Sequence, residues 1–195
     1  SATVKPFDLS NIEVTSPAEN NDGDGEYLRY RITEDGISPR LIPGKTGDFV
    51  SADSDEHTEL GMITESSEVR TEMMDKRMRK LKKLELELQE PEFLGEQSFE
   101  TLLVGWGSTY GPISEAVELL NKREKGKYAA LVFGDIYPFP KILLKEKSAQ
   151  AKQIINVEQN ATGQLAGLIR EQTGISCTSS ILKYDGRQIS GEEIV

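Results

Sequence analysis

Three loops and one histidine hold the side chains whose types and spacing could do chemistry. The run Gly105-Trp106-Gly107-Ser108-Thr109-Tyr110-Gly111 leaves an apolar stretch and leads into a segment with Pro112 at a first-turn helical position. Its glycines permit tight turning, and the free amides at such a helix start face outward as donors for an anion. The run has neither the Gly-x-Gly-x-x-Gly spacing with an acidic residue about 20 positions on nor a phosphate-binding Lys. A cofactor phosphate and a turn that packs Trp106 against a neighbour therefore both stay open. A second run, Gly134-Asp135-Ile136-Tyr137-Pro138-Phe139-Pro140, holds apolar rings on rigid prolines, as an interface does; burial of Phe139 in a core is the rival. The third, Val157-Glu158-Gln159-Asn160-Ala161-Thr162-Gly163-Gln164, offers Asn160 or Thr162 as the N-cap of a following helix. That leaves Glu158 and Gln164 as candidate contacts.

The single histidine, His57, sits in Ser54-Asp55-Glu56-His57-Thr58-Glu59. Acids beside an imidazole suggest a metal or an acid/base pair, but with no second His or Cys nearby, structural or interface hydrogen bonding is the preferred reading. No Ser, His and Asp set, no Cys and His pair and no His-Glu-x-x-His is available for nucleophilic or zinc chemistry. No catalytic residue and no metal ligand is therefore assigned. Cys177, the single cysteine, excludes an internal disulfide and agrees with a reducing, cytoplasmic compartment.

The elements that must position these loops follow from periodicity. Val69, Met73, Met78, Leu81, Leu84 and Leu88 fall at helical spacing, so one helix is expected over residues 68–89, capped by Ser66 or Ser67 and stopped by Pro91. Its Arg and Lys residues are interleaved with Glu72, Asp75, Glu85 and Glu87, which reads as a solvated face or connector rather than a nucleic-acid helix. Strands are then expected at residues 99–104, 128–133, 153–158 and 179–184, with helices at 112–123, 142–147 and 163–173. The runs Leu102-Leu103-Val104, Leu131-Val132-Phe133 and Ile154-Ile155-Asn156-Val157 are the near-continuous apolar kind found where both sheet faces are covered. The expected fold class is thus α/β: an open, mainly parallel sheet with helices on both faces, whose loops at the carboxyl ends of the strands meet ligands and partners.

Ahead of the long helix, turn formers dominate: Ser16-Pro17, Asn20-Asn21-Asp22-Gly23-Asp24-Gly25, Asp35-Gly36, Ser38-Pro39, Pro43-Gly44 and Thr46-Gly47. An irregular or extended segment over residues 1–67 is expected, belonging with a neighbouring domain or partner. Near the other end, Ser190-Gly191-Glu192-Glu193 is a capping box, so a helix should begin there. A helix that begins so close to Val195, with a start at Ser1, is expected of a piece of a longer chain. A formal net charge of −10 argues against nonspecific nucleic-acid binding. Neither a membrane span nor a signal peptide is expected, since no apolar run is long enough and Ser1 to Pro6 has no apolar region.

The order and wording of several segments resemble the C-terminal part of the alpha subunit of 2-oxoacid:ferredoxin oxidoreductases, particularly the 2-oxoglutarate branch. They are Thr33-Glu34-Asp35-Gly36-Ile37-Ser38-Pro39-Arg40, Asp55-Glu56-His57-Thr58-Glu59-Leu60-Gly61, Met74-Asp75-Lys76-Arg77, Val104-Gly105-Trp106-Gly107-Ser108-Thr109, Pro138-Phe139-Pro140, the Val157 to Gln164 run and Lys183-Tyr184-Asp185-Gly186-Arg187. The resemblance implies an enzyme that decarboxylates a 2-oxoacid on thiamine diphosphate with Mg, passes electrons through iron-sulfur clusters to ferredoxin, and transfers the acyl group to coenzyme A. It also implies that residues 1–67 are the tail of a thiamine pyrimidine-binding domain, 68–95 a connector helix and linker, and 96–195 a domain like the C-terminal domain of transketolase. The thiamine-contacting segment has no counterpart here, and one cysteine cannot hold a four-cysteine cluster. None of these cofactors is expected on this stretch of chain alone, which should be inactive by itself and serve assembly and cavity shaping. The implied partners are the beta subunit, gamma and delta chains, and ferredoxin; the amide-rich Gly105 to Gly111 loop adds coenzyme A as a further candidate contact. Arg40 and His57 join the loop residues as ligand or interface candidates. A free-standing nucleotide- or coenzyme A-binding module and a dimerisation module are the alternatives.

Overall fold

The computed structural model describes residues 10, 26–42, 44, 47 and 49–195. Ser16-Pro17, Asn20 to Gly25, Pro43 and Thr46 of the expected turns lie outside the described residues. The chain divides into two compact units, Ser1–Lys83 and Leu84–Val195.

Among the described residues of the first unit, helix α1 (Ser67–Leu84) is the one long element. Ser66 caps it: the Val69 amide donates to Ser66 Oγ at 3.3 Å, and Glu68 favours the positive end of the helix dipole. The helix ends at Leu84, five residues short of the expected Gln89. Beyond Leu84 the residues are recruited into the second unit: the Gln89 amide donates to Asp135 Oδ2 at 2.8 Å, and the Glu90 carboxylate accepts from the Ile142 and Leu143 amides. Pro91 also disfavours helical backbone at Glu90.

The second unit is built on a five-stranded sheet of order β1-β3-β2-β4-β5, with β1 (Glu92–Gly95), β2 (Thr101–Trp106), β3 (Tyr128–Phe133), β4 (Gln153–Glu158) and β5 (Ser179–Leu182). Strands β3, β2, β4 and β5 are parallel, while β1 adds antiparallel to the free edge of β3. Strand β1 was expected as linker. Four residues are too short to show a period, and it is held by backbone pairing of Glu92 with Val132 and Leu94 with Ala130. Alternate residues of each inner strand feed two cores. Leu102, Val104, Leu131 and Phe133 pack with Leu144 of α3 (Ile142–Ser148) and with Leu165 and Ile169 of α4 (Gln164–Thr173). Leu103, Ala130, Val132 and Val157 pack with Ile113, Ala116 and Val117 of α2 (Tyr110–Arg123) and Ile194 of α5 (Gly191–Ile194). Each of the larger of these side chains contributes about 1.5–3 kcal/mol by leaving water, which is why both faces read as apolar in the sequence.

The architecture is therefore α/β, a mainly parallel sheet with helices on both faces. The elements start and stop within a few residues of their expected places. Phe99 is not strand but core, and β2 begins at Thr101 because the Glu100 and Thr101 amides both turn to the Lys127 carbonyl. The terminal capping box is formed: the Glu193 amide donates to Ser190 Oγ at 3.3 Å and the Ser190 amide to Glu193 Oε2 at 2.9 Å. Among the described residues no helix is long and apolar enough to cross a membrane.

Candidate functional site

The strand order sets where a site can form. From β2 the chain crosses to β3 on one side, returns to β4 on the other, and moves on outward to β5. The exits of β2 and β4 thus diverge and leave a crevice at the carboxyl edge, the place where open α/β sheets meet ligands. Residues 106–109 form one wall, and Gln159, Asn160 and Gln164 the other, around a cavity of about 300 Å³.

Each wall has a local cause. After β2 a single 3-10 turn, Gly107–Thr109, leads into α2. Thr109 locks it, since its hydroxyl accepts from the Trp106 amide at 3.0 Å and donates to the Trp106 carbonyl at 2.9 Å. Gly105 is required by close approach: a Cβ there would collide with Ile113 Cδ1 and Thr109 Oγ1. On the other wall, Asn160 Oδ1 accepts from the Thr162, Gly163 and Gln164 amides, an Asx-type turn that sets the start of α4.

Glu158 joins the two walls. It is fully buried, and its carboxylate accepts five hydrogen bonds. One oxygen takes Asn156 Nδ2 at 2.7 Å and the Leu165 and Ala166 amides at 2.9 and 3.3 Å; the other takes Asn160 Nδ2 at 2.6 Å and the indole Nε1 of Trp106 at 3.3 Å. Buried carboxylates are costly unless hydrogen-bonded, and here neutral donors and the amino end of α4 meet that need. Trp106, 40% exposed, is in turn held with its ring at the rim. The nearby Cys177 thiol is pushed up to about 11, by burial first and the Glu158 charge second, so it is no nucleophile at neutral pH.

No Lys, Arg or His lines the crevice, and the Glu158 carboxylate lies beneath. Both Glu158 oxygens are engaged by donors, which leaves neither for acid/base work. The rim offers neutral amide and hydroxyl groups and one indole face, suited to a polar, uncharged partner surface.

Of the candidates, Gly105, Trp106, Gly107, Ser108, Thr109, Glu158, Asn160 and Gln164 come together, but Glu158 is a buried strut and cap rather than a free contact. Thr162 does not cap α4; that work falls to Asn160 and Glu158, and Thr162 lies exposed beside a different depression near Cys177. Phe139 is 3% exposed and stacks on Phe133 with centroids 5.0 Å apart, so it is core, with the half-buried Pro138 next to it. The interface reading of Phe139 fails because its ring completes the core under β3. Two participants were missed. Asn156, at i−2 from Glu158 on the same strand face, was read as part of an apolar run, although a polar residue there needs a buried partner. Gln159 lines the cavity and accepts from the Ile189 amide at 3.4 Å.

His57 and Arg40 belong to the first unit. His57 is buried, stacks on Tyr30 at 3.7 Å, and its Nδ1 lies 3.1 Å from the Thr58 carbonyl. Glu56 binds Arg77 at 2.6 Å and Arg70 at 3.0 Å, and Arg77 above all holds its carboxyl down at about 2. Arg40 is exposed and lines a separate cavity that His57 also lines. Among the described residues no group of three or more His, Cys, Asp or Glu side chains converges to hold a metal.

No family model matches the chain. It is 36% identical over 192 residues to 2-oxoacid:ferredoxin oxidoreductase 2, subunit alpha, of Aeropyrum pernix, covering 96% of this chain and 29% of that one. It is 35% identical over 175 residues to 2-oxoacid:ferredoxin oxidoreductase 1, subunit alpha, of Sulfurisphaera tokodaii, covering 88% and 27%. The chain is a homologue of 2-oxoacid:ferredoxin oxidoreductase alpha subunits. Among solved structures it resembles the 2-oxoglutarate:ferredoxin oxidoreductase of Magnetococcus marinus, which has 2-oxoglutarate, coenzyme A and succinyl-CoA bound, with a TM-score of 0.77 and 30% identity over 90% of this chain and 31% of that one. The homologue described here thus spans less than a third of the length of the alpha subunits it matches.

Proposed function

We propose that this chain is the C-terminal portion of the alpha subunit of a thiamine-dependent 2-oxoacid:ferredoxin oxidoreductase acting on 2-oxoglutarate. The complex would oxidatively decarboxylate the oxoacid to its acyl-CoA and pass the electrons to ferredoxin in the cytoplasm. The observation that carries this reading is the similarity, over nine-tenths of the chain, to an enzyme holding 2-oxoglutarate and coenzyme A. In this reading residues 1–67 end a thiamine pyrimidine-binding domain, 68–95 connect, and 96–195 form the transketolase C-terminal-like domain.

The single cysteine cannot by itself supply the four thiolates of an iron-sulfur cluster. In this reading thiamine diphosphate, Mg and the clusters belong to other parts of the complex, above all the beta subunit. This chain's part is assembly. The neutral rim of the β2 and β4 crevice, with the Trp106 ring fixed by Glu158, is read as a surface for a partner chain, with gamma or delta chains where present completing the cavity. Its lack of cations makes it a poor seat for the phosphates of coenzyme A.

The test is reconstitution. The chain is combined with a polypeptide carrying the thiamine pyrimidine-binding domain and with the beta subunit, and 2-oxoglutarate- and coenzyme A-dependent ferredoxin reduction is followed. Activity is expected only from the assembled set. Failure to associate, or turnover by the 195-residue chain alone, would overturn the proposal.

A further inference from the structure

The first unit holds a cavity of about 230 Å³ between α1 and the turn-containing segment at residues 29–40. Five cations line it: Arg29 and Arg40 from the segment, and Lys76, Arg77 and Lys80 from α1; no Asp or Glu does. In a chain of net charge −10 this concentration is not a by-product of composition. Gly36 makes it possible, since the segment approaches the helix so closely that a Cβ there would lie 2.5 Å from the Lys76 carbonyl oxygen.

Lys76 forms the floor. It is only 7% exposed, yet Nζ donates to two neutral acceptors, the Tyr30 carbonyl at 2.6 Å and Ser38 Oγ at 2.5 Å. Its neighbours are mostly of like charge: Lys80 and Arg77 on its own helix, and Arg29 on the segment, which also brings the Tyr30 ring. Glu59, from the loop after His57, is the one carboxylate felt there, and its Oε1 already accepts from the Ile32 amide at 2.7 Å. Burial first, then those cations, push the Lys76 amine down to about 8. Arg77 is engaged by Glu56, but among the described residues Arg29, Arg40 and Lys80 form no ion pair.

We propose that this cavity is a binding site for a phosphate group, free or as a phosphomonoester, held between the Arg29 and Arg40 guanidinium groups and the Lys76 and Lys80 amines. Cations approach from two sides, the segment and the helix. A tetrahedral dianion can accept from both at once, whereas a planar carboxylate accepts in one plane. The site does not depend on the oxidoreductase reading.

The experiment is calorimetric titration of the full 195-residue chain at pH 8 and constant ionic strength with inorganic phosphate, with glycerol phosphate as the ester and malonate as a dicarboxylate. One saturable phosphate site per chain is expected. Binding should take up protons, because an anion beside Lys76 restores the charge that burial suppresses. R40E and K80E, both exposed positions, should each weaken binding about tenfold or more, while K122E, the same charge change in the second unit, should not. Glycerol phosphate binding as well as phosphate marks a phosphomonoester site, and phosphate alone marks a free-ion site. The proposal is overturned by no saturable binding, by equal weakening in K122E, by malonate binding as tightly, or by binding without proton uptake.

Discussion

Glu158 and Lys76 are both charged side chains taken almost wholly out of water, and the two units treat them in opposite ways. Around Glu158 five neutral donors converge, two of them amides at the start of α4, so the group is complete within its own fold. Around Lys76 there are two neutral acceptors, the cations Lys80, Arg29 and Arg77, and one carboxylate, Glu59, that is already hydrogen-bonded elsewhere, which is the ground for the proposed anion. A buried charge whose partners are all supplied is part of the scaffold; one whose partners are of its own sign marks a place for something else.

The contrast should appear first in stability. Glu158→Ala removes an acceptor from five donors, opens a hole beside Asn156, and is expected to destabilise the second unit by about 3–5 kcal/mol, read by urea unfolding. Near wild-type stability would mean that the network is decorative. Lys76→Met, which keeps the volume and removes the charge, should by contrast stay within about 1 kcal/mol of wild type near neutral pH.

The alkaline limb sharpens this difference. The Lys76 amine titrates near 8 folded against 10.5 ordinarily, so between these values the unfolded state binds more protons than the folded one. Stability of the first unit should therefore rise with pH across that window, and Lys76→Met should flatten the rise. On the acid side the sign is reversed for Glu56, whose folded value of about 2 lies below its ordinary 4.5: its contribution is present above 4.5 and is lost as pH falls toward 2. Thermal unfolding at stepped pH reads both limbs. Smallest of all, Thr162→Ala should change stability by no more than about 0.5 kcal/mol, where loss of a true N-cap would cost about 1 kcal/mol.

The sheet and its helices were legible because apolar runs such as Leu102-Leu103-Val104, bounded by Gly and Pro, can only be buried on two sides. Strand β1 was not, since Glu92-Phe93-Leu94-Gly95 depends on pairing with residues 34 to 40 positions away in sequence, which no local pattern reveals. The crevice was legible in part. Loop spacing brought Trp106, Asn160 and Gln164 to one edge, but whether Glu158 faces solvent or α4 depends on which amides lie above it. Phe139 looked like an anchor beside its prolines, and only the position of Phe133 makes it core. The cationic cavity was hidden because Arg29, Arg40, Lys76 and Lys80 are far apart in sequence and the helix face read as solvated.

The most direct test of the assembly role uses Trp106, the one tryptophan, which stands at the rim of the crevice. Acrylamide quenching of its fluorescence is measured in the chain alone and after combination with the beta subunit and the thiamine-binding polypeptide. Quenching should fall sharply in the assembled complex as a partner surface covers the indole. Unchanged quenching in a complex shown by mass to have formed would contradict the proposal that this crevice is where the partner docks.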